Sequence, residues 1–279
     1  MGDEVTDGPR GMVGGRDLPT AIVVGVVLAG IFLVSVFWRP EALTAVITLL
    51  AVVAYIEAAR VLRPTGLYLQ TPALVIGAVT MMVATLRLGP TGQVIGVSVL
   101  VAASVISLLI DAKRRDVVRT LAITLLFGLW VAFLASFGVL LIDRPEGSVV
   151  VLGVIGAAIF TDIGGYVFGV RFGRHKVAPT VSPNKSWEGL IGGVAAAGTL
   201  AALELPIFGD TFTPLSAAVL AVTCGLASFV GDLTESMVKR DLGVKDLGDL
   251  LPGHGGFLDR VDGILFALPV GYYAVALLP

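Results

Sequence analysis

Between residues 236 and 263 the sequence SMVKRDLGVKDLGDLLPGHGGFLDRVDG carries five acids, four bases and one of the chain's two histidines, with apolar stretches on either side. Charge gathered this tightly in an apolar chain marks where chemistry is done. The approach to it reads GDLTESMVKRD, and if a helix continues through it, Asp232, Glu235, Ser236 and Lys239 fall on one stripe. Glu235 pairing with Lys239 or Arg240 is ordinary for a solvated helix end and is worth only about 0.2–0.5 kcal/mol. Asp232 is poorly served by that account, because it follows a glycine at the depth where the apolar run ends. At the other end FLDRVDGIL sets Asp259 and Asp262 three residues apart, on one helix face. Two carboxylates so placed repel unless a cation lies between them or one is protonated. A helix amino terminus would favour one of them through its dipole, and two less well. Oxygen donors without thiolates favour magnesium over zinc.

Between these acids PGHGG, residues 252–256, supplies a backbone poor in side chains that can approach a phosphate and aim amides at it. It lacks the G-K-[ST] ending of a Walker A loop, and a plain helix-to-helix turn would read the same way. Its company of Lys239, Arg240, Lys245 and Arg260 favours the phosphate. His254 either pairs with a phosphate oxygen or caps the turn. A second polar stretch, RFGRHKVAPTVSPNKSWEG, holds Arg171, Arg174 and Lys176, which serve equally as anchors near anionic headgroups. Lys185 follows a Ser-Pro turn, and Ser186 with Glu188 offers capping or ligand chemistry beside the next apolar run. Upstream, Asp162 lies inside an apolar stretch, where a carboxylate costs several kcal/mol unless paired, solvated or protonated. Helical spacing puts Gly165, Tyr166 and Gly169 on its face. Asp162 either works in a cavity or pairs with a base from a neighbouring helix. Clustered acids for magnesium, clustered bases for phosphates and an apolar chain together imply phosphoryl or nucleotidyl transfer to a lipid, without naming the nucleotide.

The elements that must position these residues are membrane helices. Of 279 residues 56% are hydrophobic and 14% charged, against about 25% charged in soluble domains. Nine apolar runs are long enough to cross a bilayer, near 18–36, 42–60, 68–86, 92–110, 118–142, 149–170, 189–208, 214–232 and 261–278. The expected fold is an all-α polytopic membrane protein of about nine transmembrane helices. Loop charge predicts its orientation, since Lys and Arg near the spans stay on the cytoplasmic side. One side takes sixteen bases: Arg10, Arg16, Arg60, Arg63, Lys113, Arg114, Arg115, Arg119 and those of the two polar stretches. The other side takes only Arg39, Arg87 and Arg144. The amino terminus and both polar stretches are therefore expected in the cytoplasm, where nucleotides are available. The chain divides into a disordered tail, 1–17, amino-terminal helices, 18–145, and a carboxyl-terminal catalytic region, 146–279. The first run is full length with no small-residue cleavage site, so it reads as a span rather than a signal peptide. Cys224, the sole cysteine, excludes an intrachain disulfide and a thiolate metal cluster and reads as a small apolar residue. No internal repeat is evident, and the many intrahelical glycines read as close-packing positions.

At these residues the chain resembles the phosphatidate cytidylyltransferase, or CDP-diacylglycerol synthase, family. The family pattern S-x-x-K-R-x4-K-D-x6-G-H-G-G-x-x-D-R-x-D is met by Ser236, Lys239, Arg240, Lys245, Asp246, Gly253, His254, Gly255, Gly256, Asp259, Arg260 and Asp262. A second block, S-P-K-K-[ST]-W-E-G, is met by Ser182, Pro183, Lys185, Ser186, Trp187, Glu188 and Gly189, with Asn184 in place of the usual base. Asp162, Tyr166, Gly169 and Gly173 resemble a third. The resemblance covers roughly the last 120 residues, the first five spans matching only as generic membrane helices. It implies transfer of the cytidylyl group of CTP to phosphatidate, giving CDP-diacylglycerol and pyrophosphate for phospholipid biosynthesis. It implies a catalytic magnesium on Asp232 and Asp259 with Asp246 and Asp262 in or beside the metal shell, and room for a second cation. Lys239, Arg240, Lys245, Ser236 and the PGHGG amides are then expected on the triphosphate, and Ser182, Lys185 and Arg260 on nucleotide or phosphatidate phosphate. The expected partners are CTP, phosphatidate and membrane lipids in the cytoplasmic membrane, with no nucleic acid, and a homodimer by resemblance. A CTP-dependent polyprenol or dolichol kinase is the nearest alternative. A transporter is the other, although the paired broken helices of inverted repeats are not seen.

Overall fold

The computed structural model describes residues 12–13, 16–111, 116–248 and 255–278, with side chains from residue 22 onward. Met12–Val13 (β1) pairs antiparallel with Arg16–Asp17 (β2) and leads into α1, Leu18–Trp38. There follow α2, Pro40–Leu62, α3, Thr71–Leu88, and α4, Pro90–Ile110. Next, α5, Val117–Phe127, runs through a π-helical turn, Gly128–Phe133, into α6, Leu134–Ile142. The carboxyl-terminal helices are α7, Gly147–Phe172, α8, Trp187–Phe208, α9, Pro214–Leu242, and α10, Leu258–Leu277. Counting α5 to α6 as one rod, eight of the described helices are long and apolar enough to cross a membrane, and α1 adds the apolar stretch Ile22–Trp38. The all-α polytopic expectation is thus met. Arg10 and the bases 113–115 of the charge count lie outside the described residues.

Local sequence explains where the rods begin and end. Proline stands in the first turn of α2, α3, α4 and α9, where its missing N–H would be unbonded anyway. Gln70 stands just ahead of α3, so the third span opens at Thr71 and not at Tyr68. Thr213 and Ser216 close a reciprocal capping box at the start of α9. That helix continues ten residues beyond Asp232 and ends at Gly243, whose φ of +68° is the left-handed conformation glycine adopts without a Cβ clash. The π-turn leaves backbone to be satisfied from outside, and the buried Tyr55 hydroxyl of α2 accepts the Ala132 N–H at 3.1 Å.

The rods pack through glycine. A Cβ on Gly164 of α7 would stand 2.9 Å from Gly193 Cα of α8, and one on Gly189 2.7 Å from the Gly165 carbonyl oxygen. A Cβ on Gly231 of α9 would come within 2.7 Å of the Asp262 carbonyl oxygen of α10. With no hydrophobic drive between helices in lipid, such close backbone approach is what holds them. Two apolar cores result. One, around Tyr55, Met81, Phe127 and Trp130, also takes in Leu247 and Leu258 from the charged run, while the other, around Leu43, Val154 and Leu220, encloses Cys224 as expected.

One correction concerns the stretch 171–188. It holds an antiparallel hairpin, Lys176–Ala178 (β3) with Ser182–Ser186 (β4). Ser182 and Pro183 open a strand instead of forming a turn, because the fixed φ of proline suits an edge strand. The reversal lies before them, closed by the Val181 N–H donating to the Ala178 carbonyl at 3.1 Å.

Candidate active site

Helix α9 runs unbroken past Asp232, so Asp232, Glu235, Ser236 and Lys239 do share a stripe. The close approach of Gly263 on α10 to Ser228 and Gly231 on α9 brings that stripe against the first turns of α10. Lys239 is the hub of the crossing. Its Nζ donates to Glu235 Oε2 at 2.7 Å and to Asp259 Oδ1 at 2.9 Å, and both carboxylates are almost fully buried, at 2% and 6% side-chain exposure. Removing one member of such a pair strands a buried charge, which costs about 3–5 kcal/mol. The carboxylate of Asp259 also accepts the Leu247 N–H at 3.0 Å and the Gly256 N–H at 3.1 Å, so it ties both ends of the connecting loop to the helix start.

A second ion pair lies one turn deeper. Lys185, from β4, pairs with Asp232 Oδ2 and stands 4.5 Å over the Phe229 ring. Ser236 Oγ donates to Asp232 Oδ1 at 3.4 Å. Asp162 of α7 and Asp262 of α10 lie close enough for their charges to interact with Asp232, and Asp162 also with Lys185. The two readings of Asp162 therefore meet: it has a basic neighbour, and that neighbour belongs to the site. The hairpin carrying Lys185 is held in several ways. Ser186 Oγ accepts the Gly189 N–H as the cap of α8, and Trp187 N–H donates to the His175 carbonyl at 2.9 Å. Glu188 accepts the Arg174 and His175 backbone N–H groups and meets the His175 ring. Arg240 Nε donates to the Val181 carbonyl at 3.2 Å, tying the hairpin to α9. Glu188 and Arg240 thus position the hairpin in this structure. Gly169 and Gly173 leave room for Ser186, whose Oγ would stand 2.6 Å from a Cβ on Gly173.

One acid escaped the sequence reading. Glu57 of α2 is 2% exposed, and its Oε2 accepts the Phe257 N–H at 2.7 Å. A Cβ on Gly248 would run into the same carboxylate. Glu57 thus reaches from the amino-terminal half to both arms of the catalytic loop. Its signal was present, since it is the lone carboxylate in the apolar run AVVAYIEAAR. Of the remaining site residues, Lys245 and Arg260 are exposed, Ser182 is half-buried, and Asp246 faces Gly255, where a Cβ would stand 3.6 Å from Asp246 Oδ1. Gly253 and His254 lie outside the described residues.

Among the described residues no three acids or histidines form a ready-made metal cage. The donor set is nevertheless all oxygen, and Glu235 Oε1 is buried without a hydrogen-bond partner. That combination fits magnesium, which keeps several waters and is held by one or two carboxylates plus substrate phosphates.

The sequence profile of the cytidylyltransferase family matches residues 19–278. The chain belongs to this family. It is 36% identical over 277 residues to the phosphatidate cytidylyltransferase of Mycobacterium bovis, a match covering 95% of this chain and 90% of that one. Similarity to the phosphatidate cytidylyltransferase of Mycobacterium leprae is 35% over 280 residues, covering 95% and 89%. A shorter match, 45% over 133 residues, joins it to that of Brucella suis, covering 47% and 48%. Family likeness therefore extends through the amino-terminal helices, which corrects the expectation that only roughly the last 120 residues carry it. The place of Glu57 under the catalytic loop gives one physical reason.

Proposed function

We propose that this protein is a phosphatidate cytidylyltransferase, which transfers the cytidylyl group of CTP to phosphatidate and releases pyrophosphate. The observation that carries the reading is the convergence of Lys185 with Asp232 and of Lys239 with Asp259 at one crossing of α9 and α10. Relatives of that name match 95% of the chain. An oxygen of the phosphatidate phosphate attacks the α-phosphorus of CTP, and the bond to the β-phosphate breaks. The nucleophile is anionic at neutral pH, so no dedicated general base is required. The enzyme supplies alignment and charge neutralisation. Lys239, Arg240, Lys245, Ser236 and the amides of Gly253, His254 and Gly255 are assigned to the triphosphate and the leaving pyrophosphate, the Gly256 N–H being already taken by Asp259. Ser182, Lys185 and Arg260 are assigned to nucleotide or lipid phosphate. Asp232 and Asp259 would hold magnesium, with Asp246 and Asp262 beside it and space for a second cation. When bound, the metal supplies further neutralisation of phosphate charge. The proposal places the site and amino terminus on the cytoplasmic side of the cytoplasmic membrane, on the distribution of bases, and expects a homodimer by family resemblance.

The test is radiolabelled CTP with phosphatidate and magnesium, followed by identification of the products. Labelled CDP-diacylglycerol with free pyrophosphate is expected, whereas a lipid kinase would leave CDP. Asp259→Asn, measured on the fraction that inserts and purifies folded, is expected to lower turnover at least about a hundredfold, the scale of losing one electrostatic stabiliser. Near-normal turnover would remove Asp259 from the mechanism.

A further inference from the structure

Away from the acid face of α10, a cavity of about 400 Å³ lies between α1, α2, α6, α7 and α10. Its wall takes residues 24–32 of α1, 43–51 of α2, 151–159 of α7 and 260–268 of α10. Each stretch covers eight residue steps, so at 1.5 Å per residue the cavity is a shaft about 12 Å long, parallel to the helices. Because successive rods alternate in direction, residues 24, 51, 159 and 260 share one end, and residues 32, 43, 151 and 268 share the other.

The two ends differ in chemistry. At the first, Arg260 is the one charged side chain among the described lining residues, and it follows Asp259 directly. Ile159, also at that end, lies one turn before Asp162 on the same face of α7. The rest of the wall is apolar. In the half of the shaft away from Arg260, Gly138 of α6 faces α2 and α10, where a Cβ would stand 3.3 Å from Ile47 Cδ1 and 3.7 Å from Leu268 Cδ2. An apolar shaft with a guanidinium at the mouth and reactive carboxylates beyond it suits an amphiphile with an anionic head and one hydrocarbon tail inside. A shaft about 12 Å long takes roughly ten methylenes of one extended acyl chain.

We infer that the shaft binds one acyl chain of phosphatidate, with Arg260 at the level of the lipid phosphate and the second chain left in the bilayer. The inference rests on the phosphatidate reading above. It makes turnover sensitive to acyl length through α1, α2 and α6, which line the half of the shaft away from Arg260.

The experiment uses the purified full chain and phosphatidates bearing either six-carbon or twelve-carbon chains. Gly138→Leu puts a side chain into the shaft beside Ile47 and Leu268, and is expected to lower kcat/KM about tenfold for the long chains, the scale of a blocked apolar subsite. It should leave the short-chain value and the KM for CTP unchanged. An equal loss for both lengths, or no loss for either, would overturn the assignment. In a second measurement, a phosphatidate with a photoreactive group at the end of one twelve-carbon chain is crosslinked to the wild type. Labelled peptides carrying Phe32 or Leu268, suppressed by excess phosphatidate and by Gly138→Leu, support the shaft. Labelling confined to outer helix faces and indifferent to competitor refutes it. Should the wild type form no lipid product from either phosphatidate, the functional reading fails by itself, and the crosslinks still decide whether an acyl chain occupies the shaft.

Discussion

Glu57 shows how a residue distant in sequence can govern the site. Its carboxylate satisfies the Phe257 N–H, a buried donor that would otherwise lack a partner. Leaving a buried donor unsatisfied costs about 1–3 kcal/mol. Glu57→Leu is therefore expected to loosen the loop that Asp259 closes and to lower kcat about tenfold or more. Glu57→Gln keeps a carbonyl oxygen in place and should restore most of the rate. Turnover of the two variants against the wild type decides the matter, and a fully active Glu57→Leu would mean the loop is held without this acid. Asp232, Asp259 and Lys239 were readable in advance because charge in an apolar helix has few innocent explanations. Glu57 has the same property. It was passed over because it lies far from the dense run, and proximity in sequence is a poor guide to proximity across a helix bundle.

Single elements carry a different kind of information. The hairpin β3–β4 delivers Lys185 to Asp232, and neither strand was legible, since five residues interrupted by a proline show no alternating pattern. At the opposite end of α8 and α9 a comparable joint is built on Glu146. It accepts the Thr211 hydroxyl at 2.6 Å and the Asp210 and Thr211 N–H groups at 3.0 Å. The Thr211 hydroxyl, followed by those two amides, holds its carboxyl below the ordinary value of 4.5. A depressed carboxylate contributes stability that is present above the unfolded pKa and is lost as pH falls through the folded one. The melting temperature of the wild type is thus expected to exceed that of Glu146→Gln at neutral pH, and the gap should shrink as pH drops below 4.5. A gap that stays constant across that window would show that the joint does not titrate.

For the whole molecule, the arrangement of the rods makes a topological prediction that is simple to check. Cys224 is fully buried, so the native chain should give almost no background with a membrane-impermeant thiol reagent. Thr180→Cys at the exposed tip of the hairpin is expected to label only when the cytoplasmic face is open to the reagent. Asp210→Cys, in the α8–α9 connection, is expected to label from outside intact cells. The reverse pattern would put the site on the wrong side for CTP and undo the orientation drawn from the bases.

Sequence by itself determined the membrane class and the succession of apolar rods, and singled out most of the acids and bases that the structure brings together. It could do so because hydropathy over about 20 residues and charge inside an apolar run are local properties. Tertiary structure alone decided that Lys239 bridges Glu235 and Asp259, that Lys185 answers Asp232, that Glu57 supports the loop from α2, and that an apolar shaft ends at Arg260. The first of these depends on the glycine contacts that set how closely α9 and α10 approach. Distance between helices is a property of pairs of surfaces, which one strand of sequence does not spell out.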